Sequence, residues 1–113
     1  MLPRENRLSA EFDFRRLRRE GRRYGSPFFN FFLISGQKGP ARFGFVVSAR
    51  VSKRAVRRNR LKRIMRAEVE NLLPGIRPGL WGAFWVREAA ERANPPALRQ
   101  SVRGILQEAK ALL

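Results

Sequence analysis

Between residues 55 and 73 the chain sorts its side chains onto two faces. On a wheel of about 100° per residue, Leu61, Ile64, Met65, Val69 and Leu72 share one arc, while Asn59, Lys62, Arg63 and Arg66 share the opposite one, with Arg60 at its edge. The pattern predicts an amphipathic helix with one buried stripe. Ser52 stands where a hydroxyl can cap the first turn, and Pro74-Gly75 supplies a stop after Leu73. Glu68 falls near the apolar arc, a place that calls for a cation partner or for the end of the stripe.

The polar arc of this helix is costly by itself. Its segment "RRNRLKRIMR", residues 57–66, holds six cations and no acid. Arg57/Arg60, Arg58/Lys62, Arg60/Arg63, Lys62/Arg66 and Arg63/Arg66 are spaced three or four apart, and each like-charge pair costs roughly 0.2–0.5 kcal/mol. The sum, on the order of 1–2.5 kcal/mol, is a sizeable part of a small domain's stability. A face that served only solubility would alternate its signs, so the run points to a polyanionic partner that cancels the repulsion.

Composition extends the inference to the whole chain. The 113 residues suit one domain with its own core, and 43% hydrophobic content can fill it. Twenty-five Lys and Arg face nine acids, giving a net charge of +16, which is a statement about partners rather than fold. Arg outnumbers Lys by 21 to four. Guanidinium groups bind phosphate bidentately and stack on bases, although GC-rich coding produces the same bias. With no Cys, a disulfide framework and Cys-based zinc sites are excluded, which fits a cytoplasmic protein. No long apolar stretch or signal-like segment occurs, so neither a membrane span nor secretion is expected.

Along the chain, residues 1–8 read as an extended lead-in. Ser9 is placed to cap a helix over "AEFDFRRLRRE", with Gly21 at its C′ position and Phe14 and Leu17 on its apolar side. A second basic cluster, Arg15, Arg16, Arg18, Arg19, Arg22 and Arg23, surrounds the end of that helix. "PFFNFFLIS" (27–35) predicts a strand, with Phe29, Phe31 and Leu33 on one face and Phe28, Asn30, Phe32 and Ile34 on the other. "ARFGFVVSA" predicts a second strand and "LWGAFWVRE" (80–88) a third; Asn94 followed by Pro95 starts a last helix with the stripe Leu98, Val102, Ile105, Leu106, Ala109, Leu112 and Leu113. With room for one further short strand, the expected fold is a single α+β domain over residues 1–113, an αβββαβα two-layer sandwich with helices on one face of a small mixed sheet.

The residue inventory argues against catalysis by this chain alone. There is no His for acid–base work. The carboxylates form no compact cluster in sequence: Glu11 with Asp13, and Glu68 with Glu70, are two apart and do not face each other on a helix. Catalytic and metal-ligating residues are therefore expected to be none. Two features favour nucleic-acid recognition beyond charge. An exposed Phe28/Asn30/Phe32 face would stack bases at roughly 1–3 kcal/mol each; the alternative is a sheet buried on both faces, or one covered by the "FDFRRL" helix. Arg50, after "FVVS", stands where a strand end reaches a phosphate, although charged strand ends are common.

These segments resemble a known family. "AVRRNRLKRIMR" (55–66) is similar to the signature helix of the bacterial ribonuclease P protein component. "NRLSAEFDFRRLRREG" resembles its N-terminal segment and "RFGFVVS" its Arg-apolar-Gly-apolar-x-Val-Ser strand, all in the family's order. The resemblance implies a left-handed βαβ crossover through the basic helix, against the general right-handed rule. It also implies a non-catalytic protein subunit of a hydrolytic endoribonuclease, acting in removal of the 5′ leader from precursor tRNA. The active site would lie in a large RNA subunit, with Mg²⁺ held mainly by that RNA and the substrate and none by the protein alone.

On the same resemblance the partners would be the RNA subunit, with one protein per RNA, and precursor tRNA. Arg57, Arg58, Asn59, Arg60, Lys62, Arg63 and Arg66 would meet the RNA subunit. Phe14, Arg18, Phe28, Asn30, Phe32, Ser48 and Arg50 would face the leader in a cleft between the first helix and the sheet. Three positions depart from the family pattern: Ala49 replaces a basic residue, Arg18 an aromatic, and Trp81 an Asp, whereas Arg87 fits. A ribosomal protein or an architectural DNA-binding protein would share the charge, but not the three ordered segments; the latter is typically a dimer or inserts an apolar wedge.

Overall fold

Strands rich in aromatic residues build the sheet that positions everything else. The computed structural model describes residues 2–113. Its strands are β1 (Arg22–Gly25), β2 (Phe29–Ile34), β3 (Arg42–Val46) and β4 (Trp81–Val86), and its helices α1 (Glu11–Glu20), α2 (Ala55–Leu72) and α3 (Pro95–Glu108). The αβββαβα order is the expected one, with β1 as the extra short strand. The sheet runs β1-β2-β4-β3; β4 pairs antiparallel with β2 and parallel with β3, so α2 is the crossover that joins two parallel neighbours.

One face of the sheet is a row of rings. Phe31, Phe84 and Phe45 stand in register across β2, β4 and β3, with centroids 4.4 Å apart for Phe31 and Phe84 and 5.2 Å for Phe45 and Phe84. Gly82 makes the row possible, because a Cβ there would lie 2.5 Å from Cζ of Phe31. Against these rings pack Leu61, Met65 and Val69 of α2 and Leu98, Val102, Ile105 and Leu106 of α3, all buried. Burying each such side chain contributes about 1.5–3 kcal/mol, so this is the main core. Glu68 lies within it at 7% exposure, where Nε of Arg103 on α3 reaches its carboxylate at 3.5 Å.

The placement of helices on one face holds for α2 and α3 and fails for α1. That helix covers the other face, where Leu17, Leu8 and Ala83 are buried with Phe14, Phe32, Ile34, Trp81 and Trp85 around them. The strand alternation carries apolar residues on both faces, and a sheet with two apolar faces needs two covers. Gly44 admits Phe14, whose Cε1 and Cζ would come within 2.3 Å of a Cβ at that position.

Several boundaries differ from the sequence reading. Helix α2 begins after Arg54 rather than at Ser52, whose Oγ instead accepts from the Arg54 N–H. Ala10, not Ser9, precedes α1, and Gly21 ends it in an extended conformation at φ −73°. Asn94 caps α3 as expected, its side chain accepting from the Ala97 N–H, but the helix ends at Glu108 and leaves Leu113 exposed. The lead-in is not simply extended. It forms a 3-10 turn at Arg4–Asn6, buries Leu2, and runs beside β3 through an Arg7–Phe43 bridge and the Asn6 Nδ2 bond to the Ala41 carbonyl. It thereby covers an edge that would otherwise present unpaired backbone groups.

Candidate nucleic-acid interface

Two surfaces collect the residues singled out from the sequence. The first is the outer face of α2. Because Leu61, Met65 and Val69 turn inward, Asn59, Arg60 and Arg63 turn to solvent and are exposed. Three of the remaining cations of the run have partners within the fold. Arg57 Nη1 donates to Glu91 at 2.8 Å, Arg58 Nη1 to the Ser52 carbonyl at 2.8 Å, and the Arg66 guanidinium lies 6.0 Å from the Phe45 ring centroid. Lys62 is half-buried. The structure thus divides seven candidates into a free trio and cations that also brace the helix.

The second surface is a cleft between α1 and the sheet. Residues of one pleat phase form its floor: Asn30 and Phe32 on β2, Trp85 on β4 and Val46 on β3, with Asn30, Trp85 and Val46 directly in register. Phe14 and Arg18 come down from α1, one turn apart. Phe14 meets Trp85 edge-on at 6.0 Å and Phe32 meets it edge-on at 5.2 Å. The Arg18 guanidinium lies 5.3 Å from the Trp85 ring and 5.8 Å from Phe32. At the open side, Arg23 Nη2 donates to Asn30 Oδ1 at 3.2 Å. A hollow between Phe14, Arg15, Arg18, Val46 and Trp85 remains open to solvent. Aromatic faces beside guanidinium groups can stack bases and neutralise phosphates together.

Phe28 does not join that floor. It precedes β2 and packs against the core on the other face, because the strand begins one residue later than the aromatic run suggests. Ser48 and Arg50 lie beyond the end of β3 in a tight turn, the Arg50 N–H bonding to Ser48 Oγ at 3.3 Å. They border a neighbouring hollow with Pro27 and Arg87 rather than the aromatic floor itself. Arg50 also faces Lys53, Arg54 and Arg57 across an adjoining concavity. Trp85 is the residue that sequence reasoning missed. Alternation in "WGAFWV" places Trp81, Ala83 and Trp85 on one face, but only the register with β2 shows that this face is the one carrying Phe32.

Residues 2–110 match the family model described as Ribonuclease P. The chain belongs to the ribonuclease P protein family. A ribonuclease P protein component from Pseudanabaena sp. (strain PCC 6903) is 37% identical over 113 residues, spanning 99% of this chain and 97% of that protein. That of Microcystis aeruginosa is 34% identical over 115 residues, spanning 98% and 96%. The RNase P protein of Staphylococcus aureus has the same fold, with a TM-score of 0.88 at 22% identity over 96% of this chain and 98% of that one. The Thermotoga maritima protein gives 0.81 at 24% over 90% and 96%.

Proposed function

We propose that this ribonuclease P family member assists a catalytic RNA subunit in cutting the 5′ leader from precursor tRNA, binding both RNAs and leaving the bond cleavage to the RNA. The observation that carries this reading is the cleft: an aromatic floor of Phe32 and Trp85 overlain by Arg18 suits single-stranded RNA. Such a floor stacks bases of any identity and takes the backbone by charge. Asn59, Arg60 and Arg63 supply an exposed face for the RNA subunit, one protein to one RNA, and Lys62, Arg57, Arg58 and Arg66 support it from its flanks. Ser48 and Arg50 meet the strand where it leaves the cleft.

Among the described residues no three of His, Cys, Asp and Glu come together, a donor set that does not fit a divalent cation held by the protein. We further propose that the protein raises affinity for substrate and for Mg²⁺, the latter through the RNAs, whose phosphates it brings together. Among the described residues no helix is long and apolar enough to cross a membrane. From its proposed RNA partners, we place the chain in the cytoplasm.

The test is cleavage of a precursor tRNA by a bacterial ribonuclease P RNA at low Mg²⁺, with and without the protein. The expected outcome is cleavage at the mature 5′ end that appears with the protein and never with the protein alone. Binding to the RNA without any stimulation, across several RNA subunits, overturns the reading and favours a generic basic RNA-binding protein.

A further inference from the structure

The α1-facing side of the sheet does not end at the cleft. Four residues along β4 from Trp85, about 13 Å at strand spacing, Trp81 stands in register between Ile34 on β2 and Arg42 on β3. Two donors there are sealed from solvent without an acceptor: Nε1 of Trp81 and Nε of Arg42, the two buried unpartnered side-chain polar atoms among the described residues. Buried donors are nearly always paired, and each one left unmet is costly. Arg42 forms no ion pair among the described residues, although it is half-buried.

A second cation covers the same indole from above. The Arg16 guanidinium lies 5.8 Å from the Trp81 ring centroid, with Nη1 donating to Gln37 Oε1 at 3.3 Å and Nε 3.6 Å from Glu20. Gln37 accepts from Arg16, and its Nε2 donates to the Ser35 carbonyl; Nε of Arg42 has no partner from it. The notch therefore holds two guanidinium groups and an indole N–H against one half-exposed carboxylate.

We propose that Arg16 and Arg42, on either side of the Trp81 indole, form a phosphate-binding notch for an RNA strand, separate from the cleft and at the opposite end of the α1-covered sheet face. The inference rests on the RNA-binding reading above and adds a contact to it. A phosphate oxygen is the acceptor that two guanidinium groups take most readily, and it brings the negative charge that this chain of +16 lacks. The sealed Nε of Arg42 gains its acceptor as that side chain turns toward the seated phosphate.

Arg42→Gln and Arg16→Gln remove the cations one at a time, and Arg42→Lys keeps the charge while losing the fork. Circular dichroism melts establish that each variant folds; Arg16 bonds to the half-buried Gln37 and the exposed Glu20 and its replacement removes no sealed donor, so its variant keeps the test open if Arg42→Gln unfolds. Affinity is then measured against salt for a ribonuclease P RNA subunit, for a precursor tRNA in its complex, and for a plain single-stranded RNA oligonucleotide. Each Gln variant is expected to bind about tenfold more weakly and to lower the slope of log K against log salt by about 0.7–0.9, with partial rescue by Lys. Loss with the RNA subunit alone assigns the phosphate to that RNA; loss only with precursor present assigns it to the substrate. Unchanged affinity and slope with all three RNAs, in folded variants, overturns the notch and leaves its donors to ordered water. Should the native chain fail to bind the ribonuclease P RNA, the functional reading falls, while the oligonucleotide slopes still judge the notch.

Discussion

A base entering the cleft must displace Arg18 or slide beneath it, since that guanidinium lies over both Trp85 and Phe32. Cation–π contacts of this kind contribute about 0.5–1 kcal/mol when partly exposed, less than the roughly 1–3 kcal/mol of a stacked base, so the exchange favours RNA. Phe32→Ala is therefore expected to weaken binding of precursor tRNA by about 1–3 kcal/mol and to leave mature tRNA unchanged. Trp85→Ala should do the same, because the two rings share one floor. Titrations of both tRNAs in the presence of the RNA subunit read this directly, and an equal loss for the two would sink the assignment of the cleft to the leader. Phe14, Asn30 and Phe32 were legible from period two and from resemblance. Trp85 was not, because its partners are set by strand register, and Phe28 was misplaced because it precedes the first residue of β2, where the period-two alternation no longer fixes a side chain's face.

At the scale of elements, the helical wheel of α2 located Leu61, Met65 and Val69 of its buried stripe and left Ile64 and Leu72 half-buried at its margins, since a period of 3.6 over 18 residues leaves little ambiguity about the face. Its caps were less legible. Ser52 and Ser9 have suitable side chains, yet the Ser52 hydroxyl accepts from the Arg54 N–H and its carbonyl from Arg58 Nη1, outside the first turn of the helix. The division among the cations likewise depends on neighbours distant in sequence: Glu91 is 34 residues from Arg57. That division predicts a graded response. Arg60→Ala should weaken assembly with the RNA subunit and lower its salt slope by about 0.7–0.9 with no loss of stability. Arg58→Ala should also lower stability, by about 0.5–1.5 kcal/mol, through the lost Ser52 contact; equal melting behaviour of the two variants would contradict it. The α2–α3 contact makes a separate prediction. Arg103→Ala leaves the Glu68 carboxylate buried without the cation seen beside it, and urea unfolding is expected to show a loss of about 1–3 kcal/mol. A loss within the roughly 0–1 kcal/mol of an exposed pair would mean that Glu68 is solvated despite its position.

For the molecule as a whole, the charge works against the fold that carries it. A radius of gyration of 12.9 Å confines a net +16 within distances comparable to the Debye length of about 8 Å at physiological salt, and self-repulsion of this kind opposes the compact state. The internal ion pairs relieve little of it: Arg15–Glu11, Arg16–Glu20 and Arg19–Glu20 are at least partly exposed and short-range. The polyanion that α2 and the cleft would bind is thus also what the folded chain lacks. Anything that binds the folded state preferentially stabilises it by mass action, so sulfate is expected to raise the melting temperature more than chloride at equal ionic strength. Two contributions can be separated by their shape. Exclusion of sulfate from protein surfaces grows steadily with concentration, whereas occupation of Arg-lined sites saturates. A saturating rise that shrinks in an Arg60→Ala/Arg63→Ala double variant would locate part of the frustration on the free face of α2. A purely linear rise, identical in the variant, would mean that this face is already relaxed in the free protein, and that its cations act only on encounter with RNA.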